Sequence, residues 1–280
     1  MLEMQDVVFS YPGHEAAVNH VSFTMEPGEF VGLAGRNGSG KTTLTRLLAG
    51  LSKPLLGKVM ADGKTTKELN PAQMARILGY VFQNPDRQIF RDTVAEEVAF
   101  GPEQLEFSPE EKAAAVKEAL EQTGLTELAR EYPRTLPRSV RQKVAIASAL
   151  SLRPRCMILD EPTSGQDAVE RETLMQLLTE LNQKGIGILL VTHDMDLLLR
   201  YTKRTVVLHQ GEKVFDGPTE ELFSQKILEL ADWGLRAPTA VAVAGELPLE
   251  LPPLRTVEGL AKEIKKHLRG EKHEVTGSTL

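Results

Sequence analysis

The sequence predicts an α/β fold: a core of largely parallel sheet with an N-terminal antiparallel β subdomain, an inserted helical subdomain and a C-terminal helical extension. Three observations predict it. Short apolar runs at 30–34, 156–159 and 187–191 have the length and composition of buried parallel strands. The first runs into Gly35-Arg36-Asn37-Gly38-Ser39-Gly40-Lys41-Thr42-Thr43, which fits G-x-x-x-x-G-K-[ST] and is followed by a helical pattern over 42–51. Strand, glycine-rich loop and helix in that order are the context of a phosphate-binding loop, so the core is that of a phosphate-loop NTPase. Between the first and second runs, two helical patterns follow one another with no strand between them, which marks an inserted helical subdomain over about 92–152.

From the N-terminus, residues 2–9 and 17–25 carry β-type patterns, joined by a turn at Tyr11-Pro12-Gly13. A further strand is expected over 57–61, before Asp62-Gly63. These form an antiparallel sheet leaning on the core. Tyr11 reads either as a turn aromatic packed on that sheet or as a face for adenine, because aromatic rings stack on bases; spacing alone leaves both readings open.

In the phosphate loop, Gly35, Gly38 and Gly40 let the backbone curl closely around phosphate, and the N–H groups of Arg36, Asn37 and Ser39 to Thr43 point inward. The helix N-terminus adds the positive end of its dipole. Lys41 is expected to reach the β- and γ-phosphates and the Thr42 hydroxyl to hold Mg²⁺.

Residues 79–83 read as a strand ending in Gln83, broken by Asn84-Pro85-Asp86 because proline drives the preceding residue out of helical geometry. Gln83 alone would be a polar loop residue; its interest is its place after a strand, within reach of the nucleotide. Ser108-Pro109-Glu110-Glu111 is a capping box that opens a helix to Gln122, and a second helix is expected over 139–150. The run 156–161 then ends in Asp160 and Glu161, two acids at the carboxyl end of a strand, where open parallel sheets bind ligands. Asp160 suits a Mg²⁺-assisting acid and Glu161 a residue that orients or deprotonates water, although acids are also common where strands meet solvent. Asp167 caps a helix to 183, the strand 187–191 ends in Thr192-His193-Asp194, and 204–209 with 212–216 form a hairpin around Gln210-Gly211. His193 falls at the same sheet edge as the two acids, which makes it a γ-phosphate contact or a satisfied polar residue.

From 218 onward the pattern changes. A helix is expected over 220–235, and Pro248, Pro252 and Pro253 suggest a linker over 247–254. A last helix carries Leu260, Ile264 and Leu268 on one face and Lys262, Lys265, Lys266 and Arg269 on another, either a partner- or membrane-facing side or a solvated flank. Residues 271–280 read as a mobile tail. The organisation expected is thus a nucleotide-binding domain over 1–217 and a C-terminal extension over 218–280 serving dimerisation.

Among 280 residues, 41% are hydrophobic and 26% charged, ordinary for a globular protein. A net charge of −6 argues against a general nucleic-acid binder. The one cysteine, Cys156, sits in an apolar run and is expected in the core. No apolar run is long enough to span a bilayer, so any membrane role is expected to be peripheral.

Over residues 2–218 these motifs together resemble the ATP-binding cassette superfamily. The resemblance implies that Tyr11 stacks on adenine and that Gly35 to Thr42 is the Walker A motif. Gln83 is then the Q-loop residue at the catalytic centre and metal, Asp160 the Walker B acid and Glu161 the catalytic glutamate. Ser164 to Asp167 form the D-loop, with Gln166 where Leu is usual, and His193 is the switch histidine. Residues 81–90 and 93–101, with the 256–258 region, look like the ATPases of energy-coupling factor transporters. That likeness implies ATP and Mg²⁺ as ligands and import of a vitamin or transition metal ion. It also implies a transmembrane coupling subunit and a membrane substrate-binding subunit as partners, no nucleic acid, and a place on the cytoplasmic face of the cell membrane. The family signature Leu-Ser-Gly-Gly-Gln is altered here: Pro137, Arg138, Ser139 and Val140 follow Leu136. In the superfamily the signature of one subunit faces ATP held by the other. Pro137 has neither hydroxyl nor N–H, and Arg138 stands where Gly allows close approach. A different ATPase partner with an intact signature is therefore expected, and Arg138 could hold phosphate by charge at the altered site. The alternatives are a non-transport cassette ATPase and an ATP-binding subunit with little turnover.

Overall fold

The computed structural model describes residues 1–249, 251 and 254–269. The chain begins β1 (Leu2–Ser10), β2 (Ala16–Met25), β3 (Phe30–Ala34), α1 (Lys41–Leu48), β4 (Leu56–Ala61), β5 (Lys64–Thr65), α2 (Pro71–Ile77) and β6 (Leu78–Val81). Three helices follow without a strand: α3 (Val94–Gln104), α4 (Pro109–Thr123) and α5 (Arg138–Leu150). Then come β7 (Cys156–Asp160), α6 (Ala168–Gln183), β8 (Gly187–Val191), α7 (Met195–Tyr201) and the hairpin β9 (Arg204–His209) and β10 (Glu212–Pro218). The extension carries α8 (Thr219–Gln225), α9 (Glu229–Asp232), α10 (Thr239–Glu246) and α11 (Val257–Leu268).

The strands form two sheets. One is antiparallel, in the order β2-β1-β4-β5; the other runs β10-β9-β3-β8-β7-β6, with only β10 antiparallel to its neighbour. Strands β3, β7 and β8 are buried at every position, as expected where a parallel sheet is covered on both faces. Alternation along β7 assigns the faces. Met157 and Leu159 pack with Val144, Ile146, Leu174 and Leu178 of α5 and α6. Cys156 and Ile158 point the other way, to Leu44 and Leu47 of α1 and to Leu2, Met4 and Phe23 of the antiparallel sheet. The Cys156 thiol is buried and its pKa is pushed up to about 12, chiefly by desolvation. Asn19 N–H donates to Gly211 O at 2.8 Å and Gly211 N–H to Ser39 O at 3.1 Å, tying the antiparallel sheet, the hairpin turn and the phosphate loop together.

This strand order brings the carboxyl ends of β3, β6, β7 and β8 to one edge. The loops that leave them carry Gly35 to Gly40, Gln83, Glu161 and His193, so four distant stretches of sequence converge there.

The structure differs from the sequence expectations in several places. The inserted region holds three helices rather than two; α3 opens with its own capping box, Thr93 with Glu96. Strand β6 ends at Val81, two residues short of Gln83, because Asn84 accepts from Asp86 N–H and starts a short 3₁₀ turn at Pro85–Arg87. The helix expected over 220–235 is two pieces, α8 and α9. Leu222, Phe223, Leu230 and Leu235 all pack on one cluster with Ala34 and Met195, and a break after Gln225 lets both pieces reach it. On α11, Leu260 is buried, Ile264 half-buried and Leu268 80% exposed, so cover of the apolar stripe falls away along the helix. The tail expected over 271–280, and Pro252 and Pro253 of the expected linker, lie outside the described residues. No helix among the described residues is long and apolar enough to cross a membrane.

Candidate active site

The phosphate loop is built by close backbone approach. A Cβ on Gly35 would stand 2.3 Å from Ser39 Oγ and 2.5 Å from Leu208 O; one on Gly40 would meet Ala17 O at 2.1 Å, and Gly40 also holds φ at 102°. Helix α1 starts at Lys41 with no side-chain cap, which leaves its first N–H groups facing the loop. Ser39 Oγ is buried there without a hydrogen-bond partner among the described residues. An unfilled donor set of this kind fits an anion. Lys41 is 6% exposed, and its Nζ donates to Gly35 O at 2.7 Å and Arg36 O at 3.0 Å. Burial lowers its pKa, opposed by the nearby charges of Glu161 and Asp160. Exposed Asn37 and Gly38 form the tip of the loop, and Gly38 keeps φ at 83°.

Asp160 and Glu161 stand opposite. Asp160 is 8% exposed, and Thr42 Oγ1 donates to its Oδ2 at 3.3 Å. Burial raises the Asp160 pKa, and Glu161 raises it further; the Thr42 hydrogen bond and Lys41 pull it back. A buried acid held above its normal range beside a hydroxyl gains from a cation between them. Among the described residues no group of three or more His, Cys, Asp or Glu makes a metal cage on its own. A hydroxyl and one carboxylate suit a hard ion that takes its remaining oxygens from phosphate and water.

Glu161 has φ at 45°, a left-handed backbone that is strained for a residue with a Cβ, and its N–H donates to Val191 O at 2.9 Å. Both carboxylate oxygens are engaged. His193 Nδ1 lies 3.1 Å from Oε1; Gln83 Nε2 and Ser164 Oγ donate to Oε2 at 3.0 and 3.3 Å. The structure therefore gathers Gln83, Asp160, Glu161 and His193 with the phosphate loop, and Thr42, Gln83, Asp160 and Glu161 line one cavity with Lys41 and Tyr11. Tyr11 is 41% exposed; it packs edge-on against Phe9 with centroids 5.0 Å apart, and its OH lies 3.3 Å from Thr43 Oγ1. Tyr11 thus packs on the sheet and stays partly exposed.

The altered signature falls at the start of α5. Pro137 is the N-cap residue and supplies no side-chain cap. Ser139 Oγ donates to Glu170 Oε1 at 2.6 Å, and Arg138 Nη2 to Gln83 O at 3.4 Å. Val140 is partly buried against the core beneath.

Some supporting residues carry no sequence signal. Tyr80 OH lies 3.0 Å from Thr45 Oγ1, which donates to Thr42 O and so braces the first turn of α1; burial pushes the Tyr80 phenol to about 12. Arg171 of α6 donates to Asp194 at 3.2 Å, fixing the residue after His193. Only three-dimensional proximity relates these pairs.

Comparison with known proteins agrees with this geometry. Residues 18–164 match the family model described as ABC transporter. An archaeal protein of Pyrococcus horikoshii, named only as an ABC transporter ATP-binding protein, is 39% identical over 264 residues, 94% of this chain and 99% of the relative. The energy-coupling factor transporter ATP-binding protein EcfA1 of Clostridium perfringens is 39% identical over 257 residues, 89% of this chain and 91% of the relative. Among solved structures, cbiO1 of Clostridium perfringens, described as part of the ABC transporter complex cbiONQ, superposes with a TM-score of 0.75 at 29% identity, covering 87% of this chain and 98% of that one. A dimeric ATP-binding cassette in a post-hydrolysis state with ADP and Pi gives 0.69 at 30% identity, covering 78% and 99%. With a phosphate loop, paired acids and a strand-end histidine at one sheet edge and these relatives along most of its length, the chain belongs to the ABC transporter family and is an ATP-binding cassette ATPase.

Proposed function

We propose that this chain is the ATP-hydrolysing motor subunit of an energy-coupling factor importer, on the cytoplasmic face of the cell membrane, driving uptake of a vitamin or transition metal ion. The observation that carries this reading is the reach of the likeness to EcfA1: it spans 89% of this chain, far beyond residues 18–164 of the cassette model. The partners would be a transmembrane coupling subunit, a membrane substrate-binding subunit and a second, different ATPase with an intact signature; nucleic acid has no role. The test is to purify the chain with its partners from native membranes and identify the subunits. Ribosomal or nucleic-acid partners in place of membrane subunits would overturn the reading.

In this reading the nucleotide-binding residues are Tyr11, against adenine, and Gly35 to Thr43 around the phosphates. Mg²⁺, when bound, offsets phosphate charge; Thr42, Asp160 and the Gln83 amide would hold it. Glu161 orients and deprotonates water, and His193 senses the γ-phosphate. Lys41→Ala removes the buried cation that faces two acids and the phosphate loop. Its expected effect is a loss of ATP affinity of about ten-fold or more, the scale of a charge-assisted hydrogen bond, measured by equilibrium binding to the purified chain.

Membrane coupling is assigned to the surface beside Gln83. The pair Ile89-Phe90 reads from sequence as lacking a core partner, and the structure corrects half of that. Ile89 is 1% exposed and belongs to the core under the helical subdomain; Phe90 is 54% exposed. Phe90 borders a groove of about 570 Å³ with Leu51, Met74, Tyr80, Phe100 and Leu152, between the core and the helical subdomain. A helix of the coupling subunit fits this apolar trough. Cys156, the one native cysteine, is buried, so an Arg87→Cys variant carries a single exposed thiol. In the assembled complex that thiol is expected to crosslink to the transmembrane subunit. An intact complex without the crosslink would count against docking here.

A further inference from the structure

The segment that replaces the family signature is held by its own chain. Arg138, the first residue of α5, is exposed, yet its guanidinium turns back across the molecule. Nη2 donates to Gln83 O at 3.4 Å, and a Cβ placed on Gly165 would stand 3.6 Å from both its Cζ and its Nε. Gln83 and Gly165 belong to the two loops that grip Glu161. The Gln83 side chain donates to Glu161 Oε2 at 3.0 Å, and Ser164, next to Gly165, donates to the same oxygen at 3.3 Å. The following residue ties down the second loop. Ser139 Oγ donates to Glu170 Oε1 at 2.6 Å, while Glu170 Oε2 accepts from Asp167 N–H at 3.2 Å in the capping box that starts α6. The start of α5, the loop at Gln83 and the loop over 162–167 therefore form one hydrogen-bonded unit around a single carboxylate.

We propose that Arg138 is a positioning residue for hydrolysis at this chain's own nucleotide, bridging the Gln83 and Gly165 loops and so holding Glu161 in place. A planar guanidinium with five donors can contact two loops at once; a glycine at this position could contact neither. The inference rests on Glu161 being the residue that activates water. It assigns Arg138 a role within its own subunit, distinct from a phosphate contact on a partner's nucleotide.

The test uses the ATP-hydrolysing complex with Arg138→Gly, Arg138→Lys, Gln83→Ala and the double variant Arg138→Gly/Gln83→Ala. Arg138→Gly is expected to lower kcat roughly three- to ten-fold, the scale of one net hydrogen bond, with KM for ATP changed by less than about two-fold. Arg138→Lys should recover part of the loss. Arg138→Gly should add little on top of Gln83→Ala, because residues acting through one group are not additive. A raised KM at unchanged kcat, or fully additive losses, would overturn the proposal. Hydrogen exchange on the full chain alone gives a second reading. Amides over 82–88 and 163–168 should exchange faster in Arg138→Gly than in the parent, and equal rates would also overturn it. Glu161→Gln measured alongside separates the two ideas. If that variant keeps full turnover, the assignment of Glu161 fails; if it loses turnover while Arg138→Gly keeps the parental kcat, only the positioning role fails.

Discussion

Glu161→Gln is expected to leave ATP binding near the parental level and to cut hydrolysis by about a hundred- to ten-thousand-fold, the range assigned to a positioned general base. The site should accept the amide without rearrangement. Its oxygen can take the Oε2 place and accept from Gln83 Nε2 and Ser164 Oγ, while its NH₂ faces His193 Nδ1, which accepts in the appropriate tautomer. Shape and hydrogen bonding persist, and only the basic carboxylate is lost. Asp160 keeps its hydrogen bond from Thr42, so the contacts beside the phosphate loop persist, while loss of the Glu161 charge relieves part of the upward push on the Asp160 pKa. Single-turnover hydrolysis and nucleotide binding on the assembled complex measure the two effects separately. Parental hydrolysis by this variant would remove Glu161 from the mechanism.

The phosphate-loop site was legible because its chemistry is local. Gly35 to Thr43 are contiguous, and each glycine is needed where backbone or a side chain would meet a Cβ or where φ is positive. The acids and His193 were legible because each closes an apolar run that could only be a buried strand, and strand ends in a parallel sheet share an edge. Two helix starts are equally local in the sequence: Asn70 with Gln73 opens α2, and Thr93 with Glu96 opens α3, both by capping boxes. The burial of Ile89 was beyond reach, because a loop residue next to an exposed aromatic shows no periodicity to betray a core contact. So was the anchoring of Ser139 on Glu170, 31 residues away, and of Arg138 on a main-chain oxygen 55 residues away. Sequence motifs record which residues do chemistry; the contacts that hold those residues still are set by the tertiary fold.

Those same contacts bear on how many different ATPases the working assembly needs. In the superfamily, the signature of one subunit completes the site on the other subunit's Walker A loop. Here Pro137 has no N–H and no side-chain cap to offer. The Ser139 hydroxyl donates to Glu170 and the Arg138 guanidinium to Gln83 O, both within the same chain. A homodimer would present this segment to both nucleotides and complete neither site well. Yet the phosphate loop, Asp160, Glu161 and His193 are all present and gathered, the parts that the proposed function requires of a half-site. The proposed different partner with an intact signature would reconcile the two. Its signature would complete the site on this chain, and the reciprocal site, facing Pro137 to Val140, would bind nucleotide and turn it over slowly. The purified chain alone is therefore expected to hydrolyse ATP about a hundred- to a thousand-fold more slowly than the assembly, the cost of losing preorganised donors to a transition state. Adding the partner should restore turnover. Glu161→Gln should then abolish most of it, while removal of the partner's own catalytic glutamate should spare most. If the chain alone forms a homodimer that hydrolyses ATP as fast as the complete transporter, the need for a second kind of ATPase disappears.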